Sequence, residues 1–195
     1  MCTMVLKEYL AYYTVDGGAA FCTFLDATKA FDRVNYCKLF SILVKRDIPP
    51  AYVRLLLNLY TNSVTCVSWN GVCSRRFPVK NGVRQGRIIS RILFCVYIDG
   101  LLQRLYESGV GCYIGNVFVG ALAYADDVVL LAPTHCAMRR MLRVCEDFAK
   151  NFCVKFNHTK SMCMFVSRLG TEGSYFTLDG SRPSFVDKKV NLSFL

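Results

Sequence analysis

The segment Tyr124-Ala125-Asp126-Asp127 constrains the fold of this chain most, because it sets two adjacent carboxylates between two apolar runs. Residues 120–123 lead into it and residues 128–132 lead out, a pattern that predicts two β-strands joined by a tight turn. Two carboxylates about 5 Å apart repel by about 3 kcal/mol at an effective dielectric of about 20. A bound divalent cation would relieve that cost. Taken alone, the pattern also fits a solvated hairpin tip, because aspartate is common in turns.

Composition predicts a globular domain with one sizeable core, since 53% of the 195 residues are hydrophobic and 19% are charged. No apolar run reaches the roughly 18 to 20 residues that cross a bilayer, and no secretory signal is evident. The 11 cysteines include no Cys-x-x-Cys pair, which favours reduced thiols over a zinc site or a disulfide framework. We therefore expect an intracellular protein, cytoplasmic or nuclear, that is neither secreted nor bound to a membrane.

The net charge of +10 favours a polyanionic partner, most simply nucleic acid. A merely basic soluble protein explains the charge about equally well. The basic residues concentrate in two segments, 75–91 and 139–160.

Periodicity and turn signals predict one α+β domain with an antiparallel sheet. Asn70-Gly71 is the strongest short hairpin signal, and Thr134 is placed to cap a helix. The predicted helices span 5–13, 36–45, 50–60, 88–106 and 134–152. The predicted strands and hairpins lie at 19–26, 64–77, 112–119, 120–132, 162–166, 174–178 and 190–195.

A second acidic signal lies about 100 residues before the first, where Asp26 ends a buried strand. A carboxylate at a strand end can lie beside a hairpin tip on a neighbouring strand of the same sheet. Asp26, Asp126 and Asp127 would then form a set of three carboxylates able to hold two magnesium ions. Such a pair of ions serves phosphoryl transfer.

These segments resemble the palm of a reverse transcriptase, and most closely that of non-LTR (LINE-type) retrotransposons. Residues 24–34 resemble motif A, residues 81–86 followed by Ser90 resemble motif B, residues 123–127 resemble motif C, and residues 156–161 resemble motif D. The four motifs occur in the family's order, and the resemblance covers nearly the whole chain. The resemblance implies a polymerase palm whose antiparallel sheet is flanked by helices on one face.

The resemblance also assigns metal-binding roles. Asp26 and Asp126 would be the main ligands of two Mg²⁺ ions, with Mn²⁺ as an alternative, and Asp127 would be a weaker third ligand. Ala27 would lend its backbone carbonyl to the ion on the nucleotide side. Lys160 matches a lysine that protonates the leaving pyrophosphate, although a solvated surface lysine also fits that position.

Five further residues would bind the nucleotide and primer. Phe31 matches the position that blocks a ribose 2′-hydroxyl, which leaves room only for deoxynucleotides. Arg84, Gln85 and Gly86 of motif B would lie at the incoming nucleotide and the templating base, with Gly86 allowing close backbone approach. Tyr124 would lie against the primer terminus.

Motif B departs from the family pattern at two positions. Arg87 replaces a glycine that keeps the loop slim near the template, and Arg91 replaces a proline that suits the first turn of a helix. Ile88 and Ile89 are also β-branched at a point where the chain should turn. These departures predict a palm that has accumulated substitutions.

The expected function is an RNA-directed DNA polymerase domain that adds deoxynucleoside triphosphates to a DNA primer on an RNA template. The alternative is a catalytically inactive remnant that still binds nucleic acid. An RNA-dependent RNA polymerase is less favoured, since those enzymes usually have glycine before Asp-Asp and a small or polar residue where Phe31 lies. We expect the chain to be a palm fragment over residues 1–195, with fingers and thumb largely missing and the primer-grip hairpin starting near residues 186–195.

Overall fold

The computed structural model describes residues 2–14, 19–84, 86–124, 126–167, 178 and 184–187. The chain divides into two compact units. The sheet unit comprises residues 1–28 and 99–195, and the inserted unit comprises residues 29–98. Among the described helices, none combines the length and the apolar character needed to cross a bilayer.

The described elements form runs of short strands separated by helices, a pattern typical of an α+β domain. The helices are α1 (Cys2–Thr14), α2 (Tyr36–Lys45), α3 (Pro50–Thr61), α4 (Ile88–Glu107) and α5 (His135–Phe152), with a 3₁₀ turn at Phe31–Arg33. The strands are β1 (Ala19–Asp26), β2 (Val64–Thr65), β3 (Ser68–Trp69), β4 (Val72–Cys73), β5 (Phe77–Pro78), β6 (Tyr113–Ile114), β7 (Val117–Phe118), β8 (Ala121–Tyr124), β9 (Asp127–Ala132), β10 (Met162–Ser167) and β11 (Ser184–Asp187).

The main sheet of the sheet unit has the strand order β11-β10-β1-β9-β8. β1 is the central strand, and it pairs antiparallel with both β10 and β9. β8 and β9 form the predicted hairpin. The sheet is antiparallel as predicted, except that its edge pair of β10 and β11 is parallel.

Helices cover both faces of this sheet, whereas the sequence predicted helices on one face. On one face, Tyr9 of α1 packs with Cys22 of β1 and donates its hydroxyl to the carbonyl of Ala132 at 3.3 Å. On the other face, the next residue of β1, Thr23, donates its hydroxyl to the sulfur of Met138 in α5 at 3.3 Å. The reason is that nearly every residue of β1 is apolar, so both of its faces need cover.

Two helices begin with a side-chain cap, and the cap of α5 is the one that the sequence predicted. The Thr134 hydroxyl accepts a hydrogen bond from the Ala137 N–H at 3.2 Å, which caps α5. Asn35 caps α2 in the same way through the Lys38 N–H at 3.1 Å. The predicted apolar stripe of α5 is fully buried and consists of Met138, Met141, Leu142, Cys145 and Phe148.

The inserted unit buries less of its apolar surface than the periodicity suggested. In α3 the predicted apolar face includes Leu55 and Leu59, which are 65% and 43% exposed, and Tyr60 is the buried residue of that helix. The helix α4 begins at Ile88 without the usual proline, so the β-branched pair Ile88 and Ile89 is helical rather than part of a turn. The Asn70-Gly71 hairpin forms as predicted, with Trp69 opposite Val72.

Some predictions fall on residues outside the described part of the chain. These include the helix breaker Gly17-Gly18, the predicted strands at 174–178 and 190–195 apart from Leu178, and most of the primer-grip hairpin near 186–195.

Gly82 joins motif B to motif A within the inserted unit. Its N–H donates to the Val34 carbonyl at 2.9 Å, and the next N–H, of Val83, donates to the Phe31 carbonyl at 2.7 Å. The Gly82 φ of +87° lies in the left-handed region. A Cβ on this residue would come within 2.8 Å of the Asp32 carbonyl oxygen. Only glycine satisfies both constraints.

We predict that Gly82→Ala destabilises the inserted unit by at least about 2 kcal/mol, because alanine adds left-handed strain and a backbone clash. Urea unfolding measures the loss. The matched control is Gly71→Ala, where φ is +80° but no atom lies within 4 Å of the added Cβ. Equal losses in the two variants would show that the close approach to Asp32 contributes nothing.

Candidate functional site

The predicted carboxylates lie at one end of the sheet. β1 pairs with β9 so that Asp26 is directly opposite Asp127, and Tyr124 of β8 is opposite Asp127 on the other side. Directly opposite residues in antiparallel strands have Cβ atoms about 4.5 to 5.5 Å apart. Asp126 occupies the turn between β8 and β9, and Ala125 lies outside the described residues. The backbone therefore brings Asp26, Asp126 and Asp127 together.

The electrostatics of Asp127 reflect this clustering. Partial burial raises the pKa of Asp127 above its ordinary value of 3.8, and the carboxylates of Asp126 and Asp26 raise it further. The side chain is nevertheless exposed, so solvent screens much of this repulsion. Like-charged oxygens that disfavour their own ionisation form a donor set that a divalent cation would stabilise.

The donor set suits magnesium rather than a closed metal cage. Within the described part of the chain, no three His, Cys, Asp or Glu side chains converge tightly enough to hold a metal ion by themselves. Mg²⁺ typically takes one or two carboxylates and fills its remaining positions with water and substrate phosphate. The residues present fit such an ion, and their role as metal ligands stays a prediction.

Motif D holds the backbone of Asp26 from the side of β10. The Asp26 N–H donates to the Ser161 hydroxyl at 3.2 Å, and the Asp26 carbonyl accepts from the Asn157 N–H at 2.8 Å. Ser161 is fully buried. Its own N–H donates to the Asn157 carbonyl at 2.8 Å, which closes the turn. Both backbone polar groups of the candidate ligand are thus fixed by one turn.

The side chain of Asn157 shapes that turn. Its Oδ1 accepts from the Thr159 N–H at 3.1 Å and from the Thr159 hydroxyl at 2.7 Å. This arrangement is an Asx turn. Lys160 belongs to the same turn and is exposed. The candidate proton donor therefore lies on the turn that holds the backbone of Asp26.

Ala27 continues the line of β1 past Asp26. It forms an isolated antiparallel bridge with Phe156, and the Thr28 N–H donates to the Lys155 carbonyl at 2.7 Å. Because Asp26 and Thr28 direct their backbone groups toward motif D, the alternation of an extended chain directs the Ala27 carbonyl the other way, toward β9. That direction is compatible with its predicted role as a carbonyl ligand.

Phe31 of the inserted unit lies in a 3₁₀ turn, with its ring half-buried. The ring centroid is 4.9 Å from that of Phe94 in α4, at an interplanar angle of 31°. The Val83 N–H bonds the Phe31 carbonyl, so motif B fixes the backbone of this residue. Because its backbone is hydrogen-bonded and its ring packs against Phe94, Phe31 is suited to a steric role.

Motif B is held by the side chains of Tyr36 and Ser63, neither of which was predicted to belong to the site. The buried Tyr36 hydroxyl donates to the Gly82 carbonyl at 2.9 Å. The Arg84 guanidinium donates to the Ser63 hydroxyl at 2.8 Å, which orients an otherwise exposed side chain. Neither contact has a local sequence signal, because each joins residues more than 20 positions apart.

The remaining motif B residues have a mixed outcome. Gln85 lies outside the described residues. Gly86 has a φ of +82° and no atom within 4 Å of an added Cβ, so its backbone is open to close approach. Arg87 and Arg91 are both exposed. The roles of Arg84, Gln85 and Gly86 in nucleotide binding remain predictions.

A family model described as reverse transcriptase (RNA-dependent DNA polymerase) matches residues 4–195. The chain belongs to the reverse transcriptase family. Members of this family generally use divalent metals. The resemblance inferred from the four motifs is therefore confirmed at the level of the family.

Curated relatives of this reverse transcriptase are proteins of retrotransposable elements. It is 34% identical over 136 residues to the Retrovirus-related Pol polyprotein from type-2 retrotransposable element R2DM of Drosophila melanogaster, covering 70% of this chain and 13% of that protein. It is 24% identical over 183 residues to an R2 Pol polyprotein of Popillia japonica, covering 93% of this chain and 30% of the relative. The chain thus spans a minor part of each, and the relatives agree with the predicted resemblance to non-LTR elements.

Solved structures show the same fold. One is telomerase of Candida tropicalis in a complex with telomeric RNA, with a TM-score of 0.65, 12% identity, and coverage of 84% of this chain and 29% of that one. The apo form of that telomerase matches with a TM-score of 0.64 at 12% identity, covering 93% of this chain and 34% of the other. The reverse transcriptase therefore has the predicted α+β polymerase-palm fold.

We predict that Asp127→Asn stabilises the metal-free protein at neutral pH by less than about 1 kcal/mol, since its carboxyl is exposed and screened. The folded-state pKa of Asp127 is raised, so the folded wild type binds this proton more tightly than the unfolded chain does. The wild type therefore loses stability relative to the variant as pH rises from 3.8 through the raised value.

Thermal unfolding across this pH range measures the difference. Asp147→Asn is the control, because it removes an exposed carboxyl of α5 outside the cluster. Added Mg²⁺ should reduce the difference in stability between the two proteins, because it should stabilise the wild type more than Asp127→Asn. A difference in stability that does not change with pH would contradict the electrostatic coupling of Asp127 to Asp26 and Asp126.

We predict that Ser161→Ala raises the Mn²⁺ concentration needed for half-maximal metal binding by about 10-fold, because Asp26 loses one of its two backbone anchors. The unpaired Asp26 N–H also costs about 1 to 3 kcal/mol of stability. Direct titration with Mn²⁺ followed by paramagnetic resonance separates the two effects. Thr23→Val is the matched control, because it removes a buried hydroxyl from β1 that does not contact Asp26. Equal metal affinity in the two variants would exclude a positioning role for Ser161.

Proposed function

We propose that this chain is the RNA-directed DNA polymerase domain of a non-LTR retrotransposon and adds deoxynucleotides to a primer 3′-hydroxyl. The observation that carries the proposal is the register of β1 with β9, which sets Asp26 opposite Asp127 at the turn that contains Asp126. The partners would be an RNA template, a DNA primer and deoxynucleoside triphosphates.

Asp26 and Asp126 would hold two Mg²⁺ ions, or Mn²⁺, with Asp127 as a weaker third ligand and the Ala27 carbonyl on the nucleotide side. When bound, such ions lower the pKa of the primer hydroxyl and stabilise the charge that develops on the pyrophosphate. The backbone clamp from Ser161 and Asn157 keeps Asp26 in place while that charge develops.

The other residues of the sheet unit would position the primer and move one proton. Tyr124 is 75% exposed on β8 and lies opposite Asp127, where its ring can contact the primer terminus. The Lys160 ammonium would donate a proton to an oxygen of the leaving pyrophosphate. Its exposure leaves the ammonium accessible to that group.

The residues of the inserted unit would select the nucleotide. The Phe31 ring, held against Phe94, would exclude a 2′-hydroxyl because it leaves neither space nor a hydrogen-bond partner. Arg84 would bind phosphate, since its guanidinium is exposed and oriented by Ser63. Gln85 and the open backbone of Gly86 would lie at the base pair that forms.

A second candidate function is nucleic-acid binding without catalysis. Arg87 favours it, because a long cation replaces the family's glycine beside Gly86. In this case the carboxylates persist but the loop no longer accepts a template in the reactive position. The same assay separates the two functions.

The test is deoxynucleotide incorporation on a primed RNA template with Mg²⁺ or Mn²⁺. We predict incorporation by the unmodified chain and a loss on the order of a hundredfold or more in Asp126→Ala, which removes a metal ligand. Asp147→Ala, which removes an exposed carboxyl of α5, should keep its rate. In Phe31→Ala, ribonucleotide use relative to deoxynucleotide use should rise about 10-fold or more.

Salt-sensitive RNA binding with no incorporation would support the non-catalytic function instead. If Arg87→Gly combined with Arg91→Pro then restored incorporation, the substitutions in motif B would be the cause of inactivity. Incorporation that persists in Asp126→Ala would exclude the proposed metal site.

A further inference from the structure

Positive charge is unbalanced across most of the inserted unit. Residues 48–98 contain no aspartate or glutamate, although the whole chain has 14 acidic residues. The segment carries seven cations: Arg54, Arg75, Arg76, Lys80, Arg84, Arg87 and Arg91. A surface of one sign attracts a polyanion at long range. This concentration lies outside the sheet unit that holds the carboxylates.

A hairpin within this segment presents an aromatic ring that is mostly exposed. Asn70 and Gly71 have φ values of +48° and +80°, which form the tight two-residue turn between β3 and β4. Trp69 and Val72 are opposite each other, so their side chains share one face. They are 77% and 73% exposed. The hairpin tip thus offers a flat indole to a ligand.

The stem below the tip is ordered and basic. The Ser74 N–H donates to the Val67 carbonyl at 2.8 Å, and the Ser74 hydroxyl accepts from the Val67 N–H at 3.0 Å. Arg75 and Arg76 follow directly, and both are exposed. Arg75 and Arg76 therefore lie on the same hairpin as the Trp69 indole, next to the hydrogen bonds that join Ser74 to Val67.

A groove of about 640 Å³ continues from the stem to motif B, entirely within the inserted unit. Its lining includes Phe77, which is 45% exposed, together with Lys80 and Arg84. Asp32 also lines the groove. The lining therefore contains two cations and one carboxylate, and its net charge is positive. Its motif B end is where the proposed function locates the templating base.

We propose that the hairpin formed by residues 64–78 binds the unpaired part of the RNA template. Trp69 stacks on one base, Arg75 and Arg76 bind phosphates, and the groove leads the strand to Arg84. The proposal rests on the proposed function for its choice of RNA, because the RNA strand is the one that is unpaired ahead of synthesis.

The chemistry favours a single strand over the other occupants of an exposed apolar tip. A ring can stack only on a base whose face is free, as in single-stranded RNA and not inside a duplex. A protein partner would match Trp69 and Val72 but would leave the excess of cations unexplained. Stacking and phosphate contacts together account for both features.

The chain offers a direct probe, because Trp69 is its single tryptophan. Titration with an unstructured oligouridylate should quench tryptophan emission as binding proceeds. A blunt RNA duplex of the same length, and an abasic strand of the same charge, should leave the emission nearly unchanged. Binding in each case is followed independently by the anisotropy of a labelled strand.

Variants separate stacking from charge. Trp69→Ala should weaken oligouridylate binding by about 5- to 100-fold, and Trp69→Phe should retain most of the affinity. In the double variant Arg75→Ala with Arg76→Ala, the slope of the logarithm of the binding constant against the logarithm of salt concentration should fall in magnitude by about one to two. The matched control is the double variant Arg139→Ala with Arg140→Ala, which removes an exposed adjacent pair on α5. It should change the affinity for oligouridylate and the salt dependence of binding much less.

Unchanged emission on saturation with oligouridylate, or equal affinity of Trp69→Ala and the unmodified chain, would overturn the inference. So would an emission change that depends on protein concentration without RNA, because it would mark the tip as a protein contact. Quenching by a single-stranded DNA of equal length with no quenching by RNA would overturn the choice of RNA.

These outcomes are independent of the proposed polymerase activity. If oligouridylate quenches Trp69 but no deoxynucleotide is incorporated, the hairpin assignment stands and the proposed function fails. If incorporation depends on Asp126 but Trp69 does not respond to RNA, the proposed function stands and the hairpin assignment fails.

Discussion

The pairing of β1 with β9 is the interaction on which the candidate site depends. Apolar residues on both faces of β1 hold it at the centre of the sheet, between α1 and α5. The same register sets Asp26 against Asp127, where like charges oppose each other. Burial of the strand therefore keeps together carboxylates that would otherwise separate. The fold supplies the stability, and the site uses some of it to maintain an unfavourable local charge arrangement.

Local patterns were sufficient to predict the main elements. The apolar run that ends at Asp26, the Asn70-Gly71 turn and the cap at Thr134 each act within a few residues, so they are visible in the sequence. The meeting of Asp26 with the Asp126-Asp127 turn followed from strand ends and from family resemblance. The cover on both sides of the sheet was missed, although the unbroken apolar character of β1 contained the signal.

The contacts that support the site were not predictable in this way. Ser161 reaches Asp26 across 135 positions, and Arg84 reaches Ser63 across 21. Such bonds depend on where the tertiary fold places each residue. The sequence around a serine does not show whether its hydroxyl will make a bond of this kind. The apolar positions of α3 illustrate the opposite error, because Leu55 has helical periodicity yet is mostly exposed. Periodicity identifies a face of a helix and does not identify what covers it.

Tyr124 pairs with Asp127, and only two residues of the sequence separate them, so the site is sensitive to chain length. Side chains alternate across a strand, so one extra residue in this turn would shift β9 by one position and point its apolar residues to the opposite face. The core would resist that change, and the turn would have to bulge and move Asp126 instead. Exposed positions such as Arg87 can change while the fold persists. An inserted or deleted codon at the acidic turn would instead force a choice between the core and the carboxylates.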